Sequence, residues 1–297
     1  MKLKNFKQSL LLGAAALCCS AFVSAGITLP SGLAKLEDDD IEYVIDAEGN
    51  IQFPGAGYQL VAGDRLRTVF QLGAVLEGGT NTVVQNLTGA QELTGIAEIE
   101  ILAIIPSGLT STIVFGPSAS FAAETGTPGA MVTFYEQNPG DFDIDCHSLP
   151  GDPITNCETA ASNGNHWLTA GFGDPDDFWV SLGSQTDIDT VASAPEAFTL
   201  GTVNYGLTVL VNETGYELEE QSCGFFAGLT GGLACAGDDS MTDLIGSGTI
   251  QGGAGLAAPF FARSDFDFIL NRIPEPAPVA LLGLGLALLG FSKRKRR

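Results

Sequence analysis

The chain has 297 residues, 45% of them hydrophobic and 8% aromatic, with 13 Lys and Arg against 35 Asp and Glu, a formal charge of −22. That acid excess excludes the cation-rich surfaces with which proteins grip nucleic acid or anionic lipid. Dense Val, Ile and Phe exclude a wholly disordered chain, which lacks the apolar surface to offset the entropy of ordering.

Residues 1–25 have the layout of a secretory signal peptide. Lys2, Lys4 and Lys7 form the charged region, Leu10 to Cys19 the apolar one, and Val23-Ser24-Ala25 a small-residue cleavage site ending at Ala25. Cys18 and Cys19 invite a lipoprotein reading, but Leu17 and Cys18 stand where a lipobox wants Gly, Ala or Ser. The span 26–272 is long enough for one large β domain or two small ones. All 35 acidic residues lie between residues 26 and 275, against only Lys35, Arg65, Arg67, Arg263 and Arg272, a formal −30 for that stretch. The acids must therefore be solvated, hydrogen-bonded or neutralised by divalent ions.

Strand signals dominate this span. Ile41 to Ile45 and Ile51 to Phe53 flank Ala47-Glu-Gly-Asn50 as a hairpin, and Leu66 to Leu76 alternates in period two. Glu98 to Ile105, Met131 to Tyr135, Phe178 to Leu182, Phe198 to Leu200, Val203 to Val211 and Phe260 to Leu270 continue the pattern. No window longer than ten residues has helical periodicity away from the termini. The expected fold is mainly β: an antiparallel, jelly-roll-like β-sandwich, with helices confined to the two ends. Two stretches, Asn138 to Asp177 and Gln221 to Gly255, read as long Gly- and Asp-rich loops.

Each of these loops holds two cysteines. Cys146, Cys157, Cys223 and Cys235 remain once the signal is removed, and an even number in an exported chain reads as two disulfides. Four cysteines allow three pairings; the local pairs Cys146 with Cys157 and Cys223 with Cys235 are favoured because they close loops of similar size. A zinc site of Cys146, His147, Cys157 and His166 is disfavoured, since adjacent Cys and His cannot readily bind one tetrahedral ion.

Asp141, Asp143 and Asp145, with Asp152 at the twelfth place, resemble the opening of a calcium loop, although Cys146 stands where the turn needs Gly. Asp174, Asp176 and Asp177, and the run Asp38-Asp39-Asp40, are further oxygen-rich places. Trp167, Trp179 and Tyr135 are candidates for a sugar-stacking platform. His147 and His166 are the only imidazoles, and no Gly-x-Ser-x-Gly elbow accompanies them, so no catalytic residue is assigned.

The chain closes on Pro274-Glu275-Pro276, an apolar run from Val279 to Phe291 that includes six Leu, and the cations Lys293, Arg294, Lys295, Arg296 and Arg297. The prolines stop a helix entering from the amino side. Ala277 to Phe291 as a helix spans roughly 22 Å, short of a hydrocarbon core of about 30 Å. This expected single transmembrane helix is therefore a marginal span, with the basic ends of the chain held on the cytoplasmic side.

The order of these three parts resembles the PEP-CTERM sorting signal of Gram-negative exported proteins; the resemblance covers residues 273–297 alone. It implies passage through the Sec translocon, a membrane-held intermediate and handling by an exosortase near Pro274. It further implies release or display at the cell surface or in the extracellular matrix, and a part in biofilm, floc or exopolysaccharide association. The expected function is thus a non-enzymatic surface or matrix protein. A carbohydrate- or calcium-binding module, with Ca2+ as its only cofactor, is the alternative, and a secreted hydrolase is third.

Overall fold

The computed structural model describes residues 26–87, 91–223 and 241–274. The expected signal segment, the sorting tail from Glu275 onward and Cys235 lie outside them. Within them the strands are β1 (Gly32–Ile45), β2 (Ile51–Gln52), β3 (Arg65–Glu77), β4 (Thr82–Asn86), β5 (Glu92–Ser107), β6 (Thr110–Pro117) and β7 (Ala130–Gln137). They continue with β8 (Asn165–Gly171), β9 (Phe178–Ser184), β10 (Thr199–Asn212), β11 (Gln221–Ser222), β12 (Met241–Thr242), β13 (Leu244–Gly252) and β14 (Ala262–Arg272). Three short helices, α1 (Ala119–Thr125), α2 (Pro153–Ser162) and α3 (Ile188–Ser193), and a 3-10 turn (Ile144–Ser148) interrupt them.

The strands close on themselves as an eight-stranded antiparallel barrel. β3 pairs with β1, β1 with β14, β14 with β13 and β13 with β10, while the opposite edge of β3 pairs with β5. Two strand pairs, stacked end to end, fill the wall between β5 and β10. The first half of β5 pairs with β7 and its second half with β6; β9 and β8 divide β10 in the same way. Either route around the wall, through β7–β8 or β6–β9, counts eight strands.

This overturns the expected sandwich. Period-two alternation says which side chains face the core, and it is the same in a sandwich and in a barrel. The difference lies in the long-range β3–β5 pairing, from Arg65↔Glu100 to Leu72↔Leu93, which leaves no pair of facing sheets. No helix among the described residues is long and apolar enough to cross a membrane; the expected span 279–291 lies outside them.

The interior is filled by aromatic rings. Phe134 meets Phe70, Phe268 and Trp167 edge-on at 5.2, 5.1 and 6.1 Å, and Trp179 stacks on Tyr205 at 4.6 Å. Each such ring stabilises the fold by about 1.5–3 kcal/mol on burial. Gly95 makes room for them: a Cβ there would sit 2.2 Å from Phe70 Cζ. Apart from three acids of β1 the interior is apolar, and the outer wall carries Lys35, Glu37, Asp39, Asp265 and Asp267, the reverse of the arrangement in a transmembrane barrel.

Outside the wall, α1, α2 and the 3-10 turn cover β1, β3 and β5. There Ile41, Tyr43, Val69, Ile96, Phe121 and Phe260 form a second apolar cluster. The Cys146–Cys157 disulfide, with Cα atoms 5.1 Å apart, ties the turn to α2, as the local pairing anticipated. Cys223 is buried and disulfide-bonded. The stretch expected as one loop from Asn138 to Asp177 thus contains a 3-10 turn, a ten-residue helix and a strand. Likewise β13 occupies part of the expected loop from Gln221 to Gly255.

Candidate functional site

The chemistry of this barrel concentrates on the β1–β14 pair. In β1 the side chains of Ala34, Leu36, Asp38, Asp40, Glu42 and Val44 share one face, and all six are buried. The apolar members at either end set the phase, so the strand carries its three central acids to the barrel side. Asp38, Asp40 and Glu42 are 4%, 2% and 4% exposed. None of them has a Lys or Arg partner among the described residues; their partners lie on β14. Asp38 Oδ1 accepts from the Phe266 N–H, Asp40 Oδ1 from the Ser264 N–H at 2.6 Å, and Glu42 Oε1 from Ser264 Oγ at 2.7 Å.

These bonds replace part of the ladder. Backbone pairing runs from Gly32↔Arg272 to Glu37↔Asp267 and resumes only at Asp40↔Ser264. Over the interval the carboxylates bridge the seam, and Oδ2 of Asp38 and Oδ2 of Asp40 are buried without a hydrogen-bond partner. Burial pushes both carboxyls well above the usual carboxylate range; Asp265 adds to the effect on Asp38 and Glu42 to that on Asp40. Burial also pushes Glu42 up to about 7.

The outer side of the same seam is acidic as well. Glu37, Asp39, Asp265 and Asp267 lie on it, with Lys35 paired to Glu37 at 2.9 Å and to Asp267 at 3.0 Å. Two clefts flank the interruption. One of about 390 Å³ includes Lys35, Glu37 and Asp38 in its lining, and one of about 480 Å³ includes Asp40, Asp145 and Glu196; Asp39 and Asp265 line both. A third, of about 460 Å³, continues from Asp265 and Asp267 past Thr202, Asn204, Ser247 and Thr249. The outer face is thus a shallow track of carboxylates, hydroxyls and amides.

The residues singled out from the sequence fare differently. Asp143 caps the 3-10 turn, accepting from Asp145 N, and Asp152 caps α2, accepting from Thr155 N. Asp141 accepts from the Asn138 amide at 3.3 Å, and Asp145 lies 3.7 Å from His147. The four acids are therefore engaged in separate local bonds, and among the described residues no group of three or more His, Cys, Asp or Glu is arranged for a metal ion. The disulfide occupies both cysteines of the disfavoured zinc set.

The stacking platform is likewise not assembled. Trp167 and Trp179 are 2% and 3% exposed inside the barrel, and Tyr135 meets His166 edge-on. Asp174, Asp176 and Asp177 tie a tight turn to Thr208 and Met241. A hydrogen bond that protonated Asp174 donates to Asp176, followed by burial and the charge of Asp177, pushes Asp174 up to about 6.

His166 has a feature that its sequence position did not suggest. Its Nδ1 lies 3.2 Å from Glu213 Oε2 and its Nε2 lies 2.8 Å from Thr169 Oγ1. This acid–imidazole–hydroxyl order imitates a nucleophile relay. The Thr169 hydroxyl is only 1% exposed, however, and is shared with Thr133 at 3.1 Å, so the chain of bonds ends inside the wall.

Sequence reasoning placed Asp38-Asp39-Asp40 among oxygen-rich stretches, without a partner strand, and passed over Glu42. The signal was the shared phase of Ala34, Leu36 and Val44. Ile41 and Tyr43 obscured it, because they are apolar on the opposite face, where the outer helices cover them. The chain matches no family model, no curated protein and no solved structure.

Proposed function

We propose that this chain is an exported, non-enzymatic protein of the cell surface or extracellular matrix, delivered through its Pro274-Glu275-Pro276 tail by an exosortase. The observation that carries the reading is the Cys146–Cys157 disulfide in an acidic barrel whose hydrogen-bonded circuit closes between Gly32 and Arg272. Disulfides persist in oxidising compartments outside the cytosol. The circuit is complete within residues 32–272, and β1 and β14, its first and last strands, are neighbours.

The test is deletion of residues 274–297, with the protein followed by fractionation of cells, surface and medium. The shortened chain is expected to keep the thermal unfolding of the full chain and to leave the surface fraction. Unchanged surface retention sinks the sorting account. A second reading, a carbohydrate-binding module, draws on the track of Thr202, Asn204, Ser247 and Thr249 beside Asp265. Calorimetry with purified matrix polysaccharide separates the two, since only the second requires heat of binding.

A further inference from the structure

We propose that the interrupted β1–β14 seam binds a hard divalent cation of calcium size through the free Oδ2 atoms of Asp38 and Asp40. This inference is independent of how the protein is sorted. Both carboxylates spend Oδ1 on an N–H of β14, which fixes them across the seam. Their Oδ2 atoms are left buried, two residues apart on one face of one strand, with no partner. Positions i and i+2 of a strand lie about 6.5–7 Å apart at the backbone, within reach of one ion whose Ca–O bonds are about 2.3–2.6 Å.

A cation is the occupant that satisfies both atoms together. A single proton shared between the two Oδ2 atoms is the rival occupant, and saturating calcium must displace it. Water would supply hydrogen bonds but leave two buried charges unbalanced. Ligation by oxygen alone selects calcium over zinc or copper. Asp38 lines one cleft beside the seam and Asp40 the other, with Asp39 and Asp265 lining both, so the interrupted ladder is the route by which an ion would reach the buried carboxylates. No three such side chains already converge on one point among the described residues. Water must complete the shell, which sets the affinity in the weak range of extracellular modules, a Kd of about 10⁻⁴–10⁻³ M.

The test uses the full chain, stripped with chelator and unfolded by heat near neutral pH as CaCl2 is added to about 10 mM, with NaCl of equal ionic strength as control. The midpoint is expected to rise by several degrees and to saturate. The Asp38→Asn/Asp40→Asn variant should lose that rise while unfolding no earlier than the stripped parent. The Asp141→Asn/Asp143→Asn variant should keep it. Should the first variant fail to fold, terbium replaces calcium on the parent chain. Tyr205, whose hydroxyl donates to the Asp267 carbonyl beside the seam at 2.7 Å, and Trp179 stacked on it, should then sensitise emission that calcium quenches. No rise with calcium, an equal rise with NaCl, a rise that survives in Asp38→Asn/Asp40→Asn, or unsensitised terbium overturns the proposal.

Discussion

Glu42 shows how one side chain can set a pH dependence. Its folded carboxyl titrates at about 7 against an ordinary value of 4.5, because burial disfavours the charged form. Between those values the folded chain holds a proton that the unfolded chain has released. The stability this group contributes is therefore fully present below 4.5 and lost as pH rises through about 7. Asp40 on its own strand and Ser264 on β14 lie beside it, and among the described residues no Lys or Arg pairs with it. In chelator, the urea midpoint is expected to fall as pH rises across this window, and Glu42→Gln should flatten part of the slope. An identical slope in the variant would remove Glu42 from the account. None of this was visible in a run of acids read as solvated, because their burial depends on which strand lies alongside.

Arg67 organises the elements outside the wall. Its guanidinium reaches Glu98 on β5 at 2.8 Å, Glu124 on α1 at 2.8 Å and Glu158 on α2 at 2.6 Å, while Tyr43 donates to Glu158 at 2.6 Å. One cation thus pins two helices to the barrel, and its planar fork makes Lys a poor replacement. Arg67→Ala leaves the Glu98 carboxylate, 1% exposed, with Arg65 at 3.3 Å and the Ser118 and Ser120 hydroxyls but no partner on its Oε2, and leaves Glu124 and Glu158 without their cation. The expected cost is about 3–5 kcal/mol in urea unfolding; a loss below about 1 kcal/mol would show the network to be surface-like. At this scale the strands were legible from alternation, whereas the helices were missed. Asp152 and Pro153 form an ordinary cap and first helical position, yet a ten-residue helix carries too few turns for its periodicity to stand out from a loop.

Closure of the barrel makes a prediction for the molecule as a whole. A closed circuit has no exposed edge at β3 or β5, so the amides of Leu66 to Leu72 and Leu93 to Ile99 should exchange only through global unfolding. Hydrogen exchange that releases either strand at a distinctly lower free energy would mean that the β3–β5 seam opens on its own. Gly95 is the tightest point of that seam, enclosed by Phe70 and the Thr133 carbonyl.

The amino-acid order by itself determined that this is a β protein, where most long strands run, and that Cys146 and Cys157 sit close enough to pair. These are properties of neighbours along the chain, set by side-chain period, turn residues and short loops. Only the tertiary structure decided that the sheet closes on itself, that Trp167 and Trp179 belong inside, and that Asp38, Asp40 and Glu42 bridge to β14. Those outcomes depend on pairings such as Asp40 with Ser264, brought together from positions 224 residues apart along the chain. Local pattern carries no term for a partner so distant, because its pairing is chosen by packing across the whole barrel.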